Sequence, residues 1–135
     1  MKEKDPEKIL LAHGGGGIMM GELIERFMAE LGVDTGEGLQ DSAVMDLPAG
    51  RLAFTTDSFV VSPLTFPGGD IGSLAVCGTV NDLAVCGATP LAISLSLIIE
   101  EGFDMAELDR IMSSTARSAE EAKVRIVTGD TKVVE

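Results

Sequence analysis

Three stretches of the chain carry the sequence signals of helices. Residues 19–32 place apolar side chains three and four positions apart, on one side of a helix, and end at a glycine. Residues 70–87 open with an acid suited to capping a helix and are soon followed by a proline. The third stretch begins at Asp104, where Glu107 completes a start resembling a capping box, and its apolar residues recur at helical spacing. The pattern therefore predicts three helices.

Alternating apolar and polar positions predict strands between and after these helices. Residues 43–47 suggest a short strand before a Pro-Ala-Gly turn, and residues 51–61 alternate as a longer one. Residues 91–99 alternate cleanly, with large apolar side chains on one face and mostly small, semi-polar ones on the other. The last stretch, 124–135, predicts a strand, a tight turn at Asp130 and the start of another strand.

The order of elements is a helix followed by β-β-α-β-α-β-β. It predicts an α/β (α+β) fold in which two helices cover one face of a sheet. The small, semi-polar side chains of the other face predict that it packs on a second copy of the chain in a homodimer. We expect an N-terminal arm at 1–13 and one domain at 14–135. Because the sequence stops inside a predicted strand, we expect it to be part of a longer protein.

Composition narrows the possible functions. The chain has 135 residues, a formal net charge of -12, and neither Trp nor Tyr, which excludes nucleic acid and anionic lipid surfaces as partners. No segment reaches the roughly 18 uninterrupted apolar residues of a membrane span, so we expect a cytoplasmic protein. Cys77 and Cys86 fall on opposite faces of the predicted helix, too far apart to bridge. We expect two buried structural thiols, with a metal or redox pair as the alternative.

Asp82 is the most informative acid in the sequence. It lies in the middle of a predicted helix, among small and apolar neighbours, where a buried carboxylate needs a cation or a donor cluster. Two other acids, Asp57 and Asp130, lie at separate predicted strands and turns. Acids gathered from three elements suit Mg²⁺, which prefers carboxylate oxygens. The alternative is that these are ordinary surface acids among the 22 of the chain.

A glycine run and two basic residues are the other candidates. The segment "HGGGG" precedes the first helix, where backbone N–H groups and the helix dipole favour phosphate; a flexible hinge is the alternative. No Gly-Lys-Ser/Thr follows it, so it is not a Walker A motif. His13 is compatible with a catalytic base, a ligand or a loop residue. Lys132 is compatible with a phosphate contact or an ordinary exposed lysine.

Three segments, in this order and spacing, resemble one known family. They are "LAHGGGG" at 11–17, "FTTDSFVVSPLTFPGGDIGSLAVCGTVNDLAVCGATP" at 54–90, and "IVTGDTKVV" at 126–134. Together they closely resemble the amino-terminal half of the HypE family of NiFe-hydrogenase maturation proteins. That family belongs to the superfamily of aminoimidazole ribonucleotide synthetase, selenophosphate synthetase and thiamine monophosphate kinase. The resemblance runs from about Ile9 to Glu135.

The resemblance implies an ATP-binding domain with assigned residues. It implies a four-stranded mixed sheet that pairs with its copy into a barrel-like dimer core, with nucleotide sites near the interface. Asp57, Asp82 and Asp130 match the Mg²⁺-coordinating acids, Asn81 lies beside them, and Lys132 faces phosphate. The flap over the triphosphate corresponds to Gly14, Gly15, Gly16 and Gly17.

The resemblance also implies an activity and partners. The family uses ATP to activate the oxygen of an S-carbamoylated cysteine as a phosphate ester and then eliminates it, leaving a thiocyanate that supplies cyanide to the hydrogenase iron. The reacting cysteine ends a tail after a second domain, and neither Cys77 nor Cys86 matches it, so we expect no catalytic residue in this chain and no complete carbamoyl dehydratase activity. Implied partners are a carbamoyltransferase and an iron-scaffold maturation protein. The alternatives are a thiamine phosphate kinase or selenophosphate synthetase type of enzyme, or a non-catalytic dimerisation module.

Overall fold

The computed structural model describes residues 7–33 and 42–135, and it contains the three predicted helices. A short 3₁₀ helix, Leu11–Gly14, precedes them. The helices are α1 (Ile18–Leu31), α2 (Ile71–Val85) and α3 (Met105–Ala122), and the strands are β1 (Thr65–Phe66), β2 (Gly69–Asp70), β3 (Ala92–Glu100) and β4 (Arg125–Val134). The expected α/β class is confirmed. Within the described ranges no helix combines the length and hydropathy needed to cross a bilayer.

Helix termini follow the local signals read from the sequence. Gly32 ends α1 in the left-handed region at φ 65°, a conformation that glycine adopts without strain. Asp70 caps α2 by accepting from the N–H of Ser73, whose hydroxyl oxygen in turn accepts from the N–H of Asp70 at 3.0 Å. Asp104 caps α3 by accepting from two N–H groups, that of Glu107 among them. These caps account for the helix bounds because they satisfy backbone groups that the helix leaves unpaired.

The main sheet consists of β3 and β4, which pair in parallel through the crossover helix α3. Strand β4 is continuous from Arg125 to Val134, so the predicted turn at Asp130 is wrong. The glycine before it opposes Leu95 of β3 at a close approach of the two strands, and it does not serve a turn. A register shift at Ile93/Ser94 adds one residue to β4 early in the pairing.

The four-stranded sheet is not formed within the described residues. Residues 43–47 and 51–61 form no strand and make no backbone–backbone hydrogen bond to another described residue. The predicted loop at 62–69 instead contains β1 and the first residue of β2, which pair as a small antiparallel hairpin. The partly buried side chains in 51–61 are Thr55, Phe59 and Val61, all at odd positions, whereas Phe54 and Val60 at even positions are 88% and 98% exposed. The period of a strand is therefore present without a partner strand to pair it.

The core lies between the helices and one face of the β3–β4 sheet. Ile9, Leu23 and Met112 belong to its larger cluster, and Ile9 is fully buried. The N–H of Ile9 donates to the carbonyl of Phe103, so the described part of the predicted arm, 7–13, packs on the domain. Residues 1–6 of that arm lie outside the described residues, as does most of the predicted polar loop at 34–42. Val76 belongs to a second cluster under α2.

Both cysteines are exposed and free, so the expectation of buried thiols is wrong. Helix α2 is apolar around most of its circumference, and for that reason the sequence does not reveal which side faces the core. In the structure its buried positions are Gly72 and Val76. Cys77 and the cap residue Cys86 fall outside that buried side.

The cap of α3 predicts a pH effect on stability. The N–H of Glu107 and then the Lys8 ammonium, 3.4 Å away, hold the pKa of Asp104 below its ordinary 3.8. Its contribution to stability is therefore complete above the unfolded pKa and is lost as pH falls through the folded one. Asp104→Asn keeps a capping oxygen but does not titrate. We expect its free energy of unfolding to fall less steeply with decreasing pH than that of the unmodified protein. Denaturant unfolding between about pH 6 and about pH 3 measures it; parallel curves for both proteins would contradict the expectation.

Candidate functional site

Asp82 lies on the side of α2 that faces away from the core. Gly72 and Val76 form the buried side, and at Gly72 the helix comes so close to α3 that a Cβ would lie 2.5 Å from the carbonyl oxygen of Ile111. Asp82 is exposed and accepts a hydrogen bond from the Thr55 hydroxyl at 3.3 Å. The expectation of a buried acid is therefore wrong, because core packing covers only one side of this apolar helix.

Asp57 lies on the segment 51–61, which passes the same side of α2. Its carboxylate is exposed and accepts from the N–H of Ser58 at 2.7 Å. Thr55, two residues earlier, contacts Asp82, and Asn81, also exposed, precedes Asp82 on the helix. The structure thus places Asp57, Asn81 and Asp82 on adjoining elements, open to solvent and rich in the oxygen donors that hard cations prefer.

Asp130 and Lys132 lie on β4, on the sheet face that no described helix covers. Both are exposed, and the Lys132 ammonium is 2.6 Å from Asp130 Oδ1. Hydrogen bonding from Lys132 holds the pKa of Asp130 below its ordinary value. In the pairing of β3 with β4, Asp130 lies opposite Ser96 and Lys132 lies opposite Ile98. The side chains that β3 presents on this exposed face are small and semi-polar, as predicted, apart from Ile98.

The glycine run starts against the strand that carries this ion pair. A Cβ at Gly14 would lie 2.9 Å from the backbone nitrogen of Val133, so the first glycine allows close contact with β4. Gly16 has φ 79°, and Gly17 caps α1 without a side-chain hydrogen bond. Gly15, Gly16 and Gly17 are exposed. The N–H of Gly15 donates to the Ala12 carbonyl, so the backbone N–H groups that favour phosphate are those that follow it, at the start of α1.

His13 is not a surface loop residue. It lies in the 3₁₀ helix, is 3% exposed, and its Nδ1 accepts from the N–H of Leu10 at 2.9 Å. The same Nδ1 also lies 3.2 Å from the carbonyl oxygen of Leu10. The contact gives His13 a structural role at the base of the glycine run.

The predicted residues form two groups in this chain. One is Asp57, Asn81 and Asp82 on α2 and its neighbouring segment; the other is Asp130 and Lys132 on β4. Within 7–33 and 42–135, no three His, Cys, Asp or Glu side chains lie together as a metal site. The three acids are therefore not assembled as a metal site within one chain, although each is exposed and of the right chemistry for Mg²⁺.

Thr55 and Phe59 are site residues that the sequence reasoning did not single out. The Phe59 ring lies on Gly78, where a Cβ would be 2.5 Å from its Cζ. A signal was available, because the alternation of 51–61 places Thr55 and Phe59 on the same side as Asp57.

Comparison with known proteins gives strong similarity to HypE. A crystal structure of the hydrogenase maturation protein HypE in complex with ATP matches with a TM-score of 0.88 and 49% identity, over 93% of this chain and 37% of that chain. A crystal structure of Escherichia coli HypE matches with a TM-score of 0.78 and 47% identity, over 85% of this chain and 38% of that chain. The resemblance read from the sequence is confirmed.

Sequence relatives and a family profile agree with these structures. The carbamoyl dehydratase HypE of Rhodobacter capsulatus is 56% identical over 132 residues, which are 95% of this chain and 38% of that protein. This chain therefore spans well under half of the length of that relative. The profile of the family "AIR synthase related protein, N-terminal domain" matches residues 39–135. The chain belongs to the AIR synthase related protein family, in which it corresponds to the N-terminal domain.

Proposed function

We propose that this chain is the ATP-binding and dimerisation part of a HypE-type carbamoyl dehydratase that serves NiFe-hydrogenase maturation. The observation that carries the proposal is the match to the ATP complex of HypE, which covers 93% of the chain at 49% identity. In the proposed reaction ATP phosphorylates the carbamoyl oxygen of an S-carbamoyl cysteine, and loss of that oxygen as phosphate leaves a thiocyanate. The reacting cysteine belongs to the remainder of the enzyme, since neither Cys77 nor Cys86 matches it.

The nucleotide site is proposed on the residues already described. Asp57 and Asp82, with Asn81 beside them, supply oxygen ligands for Mg²⁺ from one group, and Asp130 is the third acid. Mg²⁺ bound there would neutralise phosphate charge. Lys132 is proposed to exchange its contact with Asp130 for a phosphate oxygen, because its side chain is exposed and carries an ammonium on a flexible four-carbon stem. Gly14, Gly15, Gly16 and Gly17 are proposed to form the flap that covers the triphosphate.

A homodimer is proposed through the uncovered sheet face and the segment 51–61. Ile98 is 75% exposed on that face, and Phe54 and Val60 are almost fully exposed on the segment, whose backbone is unpaired within the described residues. Exposed apolar side chains next to an unpaired extended segment favour pairing with another chain. Pairing of two copies would supply the strands that the predicted four-stranded sheet and barrel-like core require.

Burying a charge in this interface should weaken the dimer. We expect Ile98→Glu to reduce self-association by more than about tenfold. Each copy would have to move an unpaired carboxylate out of water into the interface, which costs free energy. Sedimentation velocity over a concentration series measures this. Arg117→Glu, which changes an exposed charge on α3, is the control and should leave association unchanged. Equal association of Ile98→Glu and the unmodified protein would contradict the proposed interface.

Partners and location are proposed from the same family membership. A crystal structure of a HypE–HypF complex matches this chain with a TM-score of 0.60 and 47% identity, over 88% of this chain and 37% of that chain. It supports a carbamoyltransferase as the donor of the carbamoyl group. An iron-scaffold maturation protein as acceptor of cyanide, and a cytoplasmic location, are proposed on the resemblance alone.

Calorimetry tests the nucleotide proposal directly. ATP is titrated into the purified chain and into a chimera in which the chain replaces the matching segment of Rhodobacter capsulatus HypE, with Mg²⁺ or with EDTA present. We expect binding heat that depends on Mg²⁺ in the chimera, and in the chain if the domain suffices alone. Absence of binding in both proteins, with the dimer retained, would overturn the proposal in favour of a non-catalytic dimerisation module.

A further inference from the structure

Two side-chain contacts join the segment 51–61 to α2. The hydroxyl of Thr55 reaches Asp82 at 3.3 Å, and the ring of Phe59 lies on Gly78. The contacts are four residues apart on each element and run in opposite directions. Because this segment has no backbone–backbone hydrogen bond to another described residue, such side-chain contacts determine how far along α2 it lies.

Gly78 is the residue that permits the closer contact. A Cβ there would lie 2.5 Å and 2.6 Å from two atoms of the Phe59 ring, closer than real side chains approach. Glycine is a poor helix former, and Gly78 lies in the middle of α2. Gly78 and Asp82 are one helical turn apart, so the ring and the carboxylate share the same side of α2.

Asp57 lies midway between the two contacts. The segment has no turn or bend from 51 to 61, and alternate residues of such a chain share a side. Thr55 and Phe59 both contact α2, and Asp57, which is exposed, lies between them on the segment, so the two contacts determine where along the helix the backbone of Asp57 lies. A shift of the segment by one residue would move Asp57 along α2 and place its side chain on the opposite side of the segment.

We propose that Phe59 on Gly78, together with the Thr55 hydroxyl, forms a register lock that positions Asp57 beside Asp82 for a shared divalent cation bound with a nucleotide. Thr55, Phe59 and Gly78 are positioning residues, because they act through the two carboxylates. The inference rests on the proposed Mg²⁺-ATP function and adds the device that sets the spacing of the two acids.

Paramagnetic NMR tests the lock through metal proximity. The ¹⁵N-labelled chain is titrated with Mn²⁺ in the presence of ATP, and broadening is followed at the amides of residues 57 and 82. In the unmodified protein both amides broaden together. Gly78→Ala should displace the ring, reduce broadening at residue 57 relative to residue 82, and weaken Mn²⁺ binding about tenfold.

Matched variants separate positioning from folding. Gly21→Ala, in α1 with open space around its Cβ position, should leave the broadening of both amides as it is in the unmodified protein and should not lower the thermal midpoint. Thr55→Val should reduce broadening at residue 57, whereas Thr55→Ser, which keeps a hydroxyl, should restore it. Phe59→Ala should add nothing to the effect of Gly78→Ala, because both changes remove the same contact.

The outcomes are distinguishable from those of the proposed function. If the unmodified protein broadens at both amides and Gly78→Ala does the same at equal Mn²⁺ affinity, the lock is wrong and the nucleotide proposal stands. If Gly78→Ala only lowers the thermal midpoint, Gly78 is structural and the lock is also wrong. If neither amide broadens in the unmodified protein although ATP binds, the assignment of Asp57 and Asp82 to the metal fails, and the lock fails with it.

Discussion

Asp82→Asn in the chimera with Rhodobacter capsulatus HypE is expected to lower ATP-dependent carbamoyl dehydratase turnover by at least about 100-fold at fixed Mg²⁺. Asparagine keeps the shape and one oxygen donor but removes the negative charge. Asp82 is exposed on α2, and its carboxylate accepts a 3.3 Å hydrogen bond from Thr55 that an amide oxygen can also accept. The fold should therefore survive, and the loss should appear in the metal and nucleotide steps.

Raising the Mg²⁺ concentration makes the expectation specific. A carboxylate that binds the cation raises its affinity, so the variant should recover part of its activity when Mg²⁺ is raised. Glu121→Gln, which removes another exposed helical carboxylate, is the matched control and should turn over normally. A variant with full activity and an unchanged Mg²⁺ requirement would remove Asp82 from the site.

The helices could be predicted closely because their signals are local. Asp70 and Asp104 cap α2 and α3 where the sequence indicated, and Gly32 ends α1. A capping side chain acts within one turn of its own position, so a single sequence contains the whole interaction. The alternating faces of 91–99 were equally readable, since Ile99 is buried and Ser96 is exposed.

Interactions between elements could not be predicted from pattern alone. The side of α2 that faces the core is determined by Gly72 against α3, and an almost uniformly apolar helix does not encode that choice in its periodicity. For the same reason Asp82 looked buried in the sequence although it is exposed. The strand period of 51–61 was visible, but pairing depends on a neighbouring strand that the described chain does not supply.

The site residues came from the resemblance and not from spacing. Three acids on different elements can be chosen in many ways from 22, and only the match of whole segments selected Asp57, Asp82 and Asp130. The structure groups the first two and separates the third on β4. Proximity across elements is a property of packing, and short-range sequence patterns do not report it.

Gly129→Ala is expected to destabilise the domain by about 3 kcal/mol, the largest stability effect among the changes considered. Gly129 opposes Leu95 in the parallel pairing, and an added Cβ would overlap the Leu95 carbonyl oxygen. That oxygen belongs to the backbone of a paired strand, so it cannot rotate away as a side chain would. The strands must separate locally, next to Asp130.

Urea unfolding measures the change in the free energy of unfolding. The control is Gly21→Ala, whose Cβ meets open space in α1 and which should instead raise the free energy of unfolding by up to about 1 kcal/mol. If Gly129→Ala unfolds at the same urea concentration as the unmodified protein, β3 and β4 are not held as closely as their register implies, and the glycine at this position would have no packing reason.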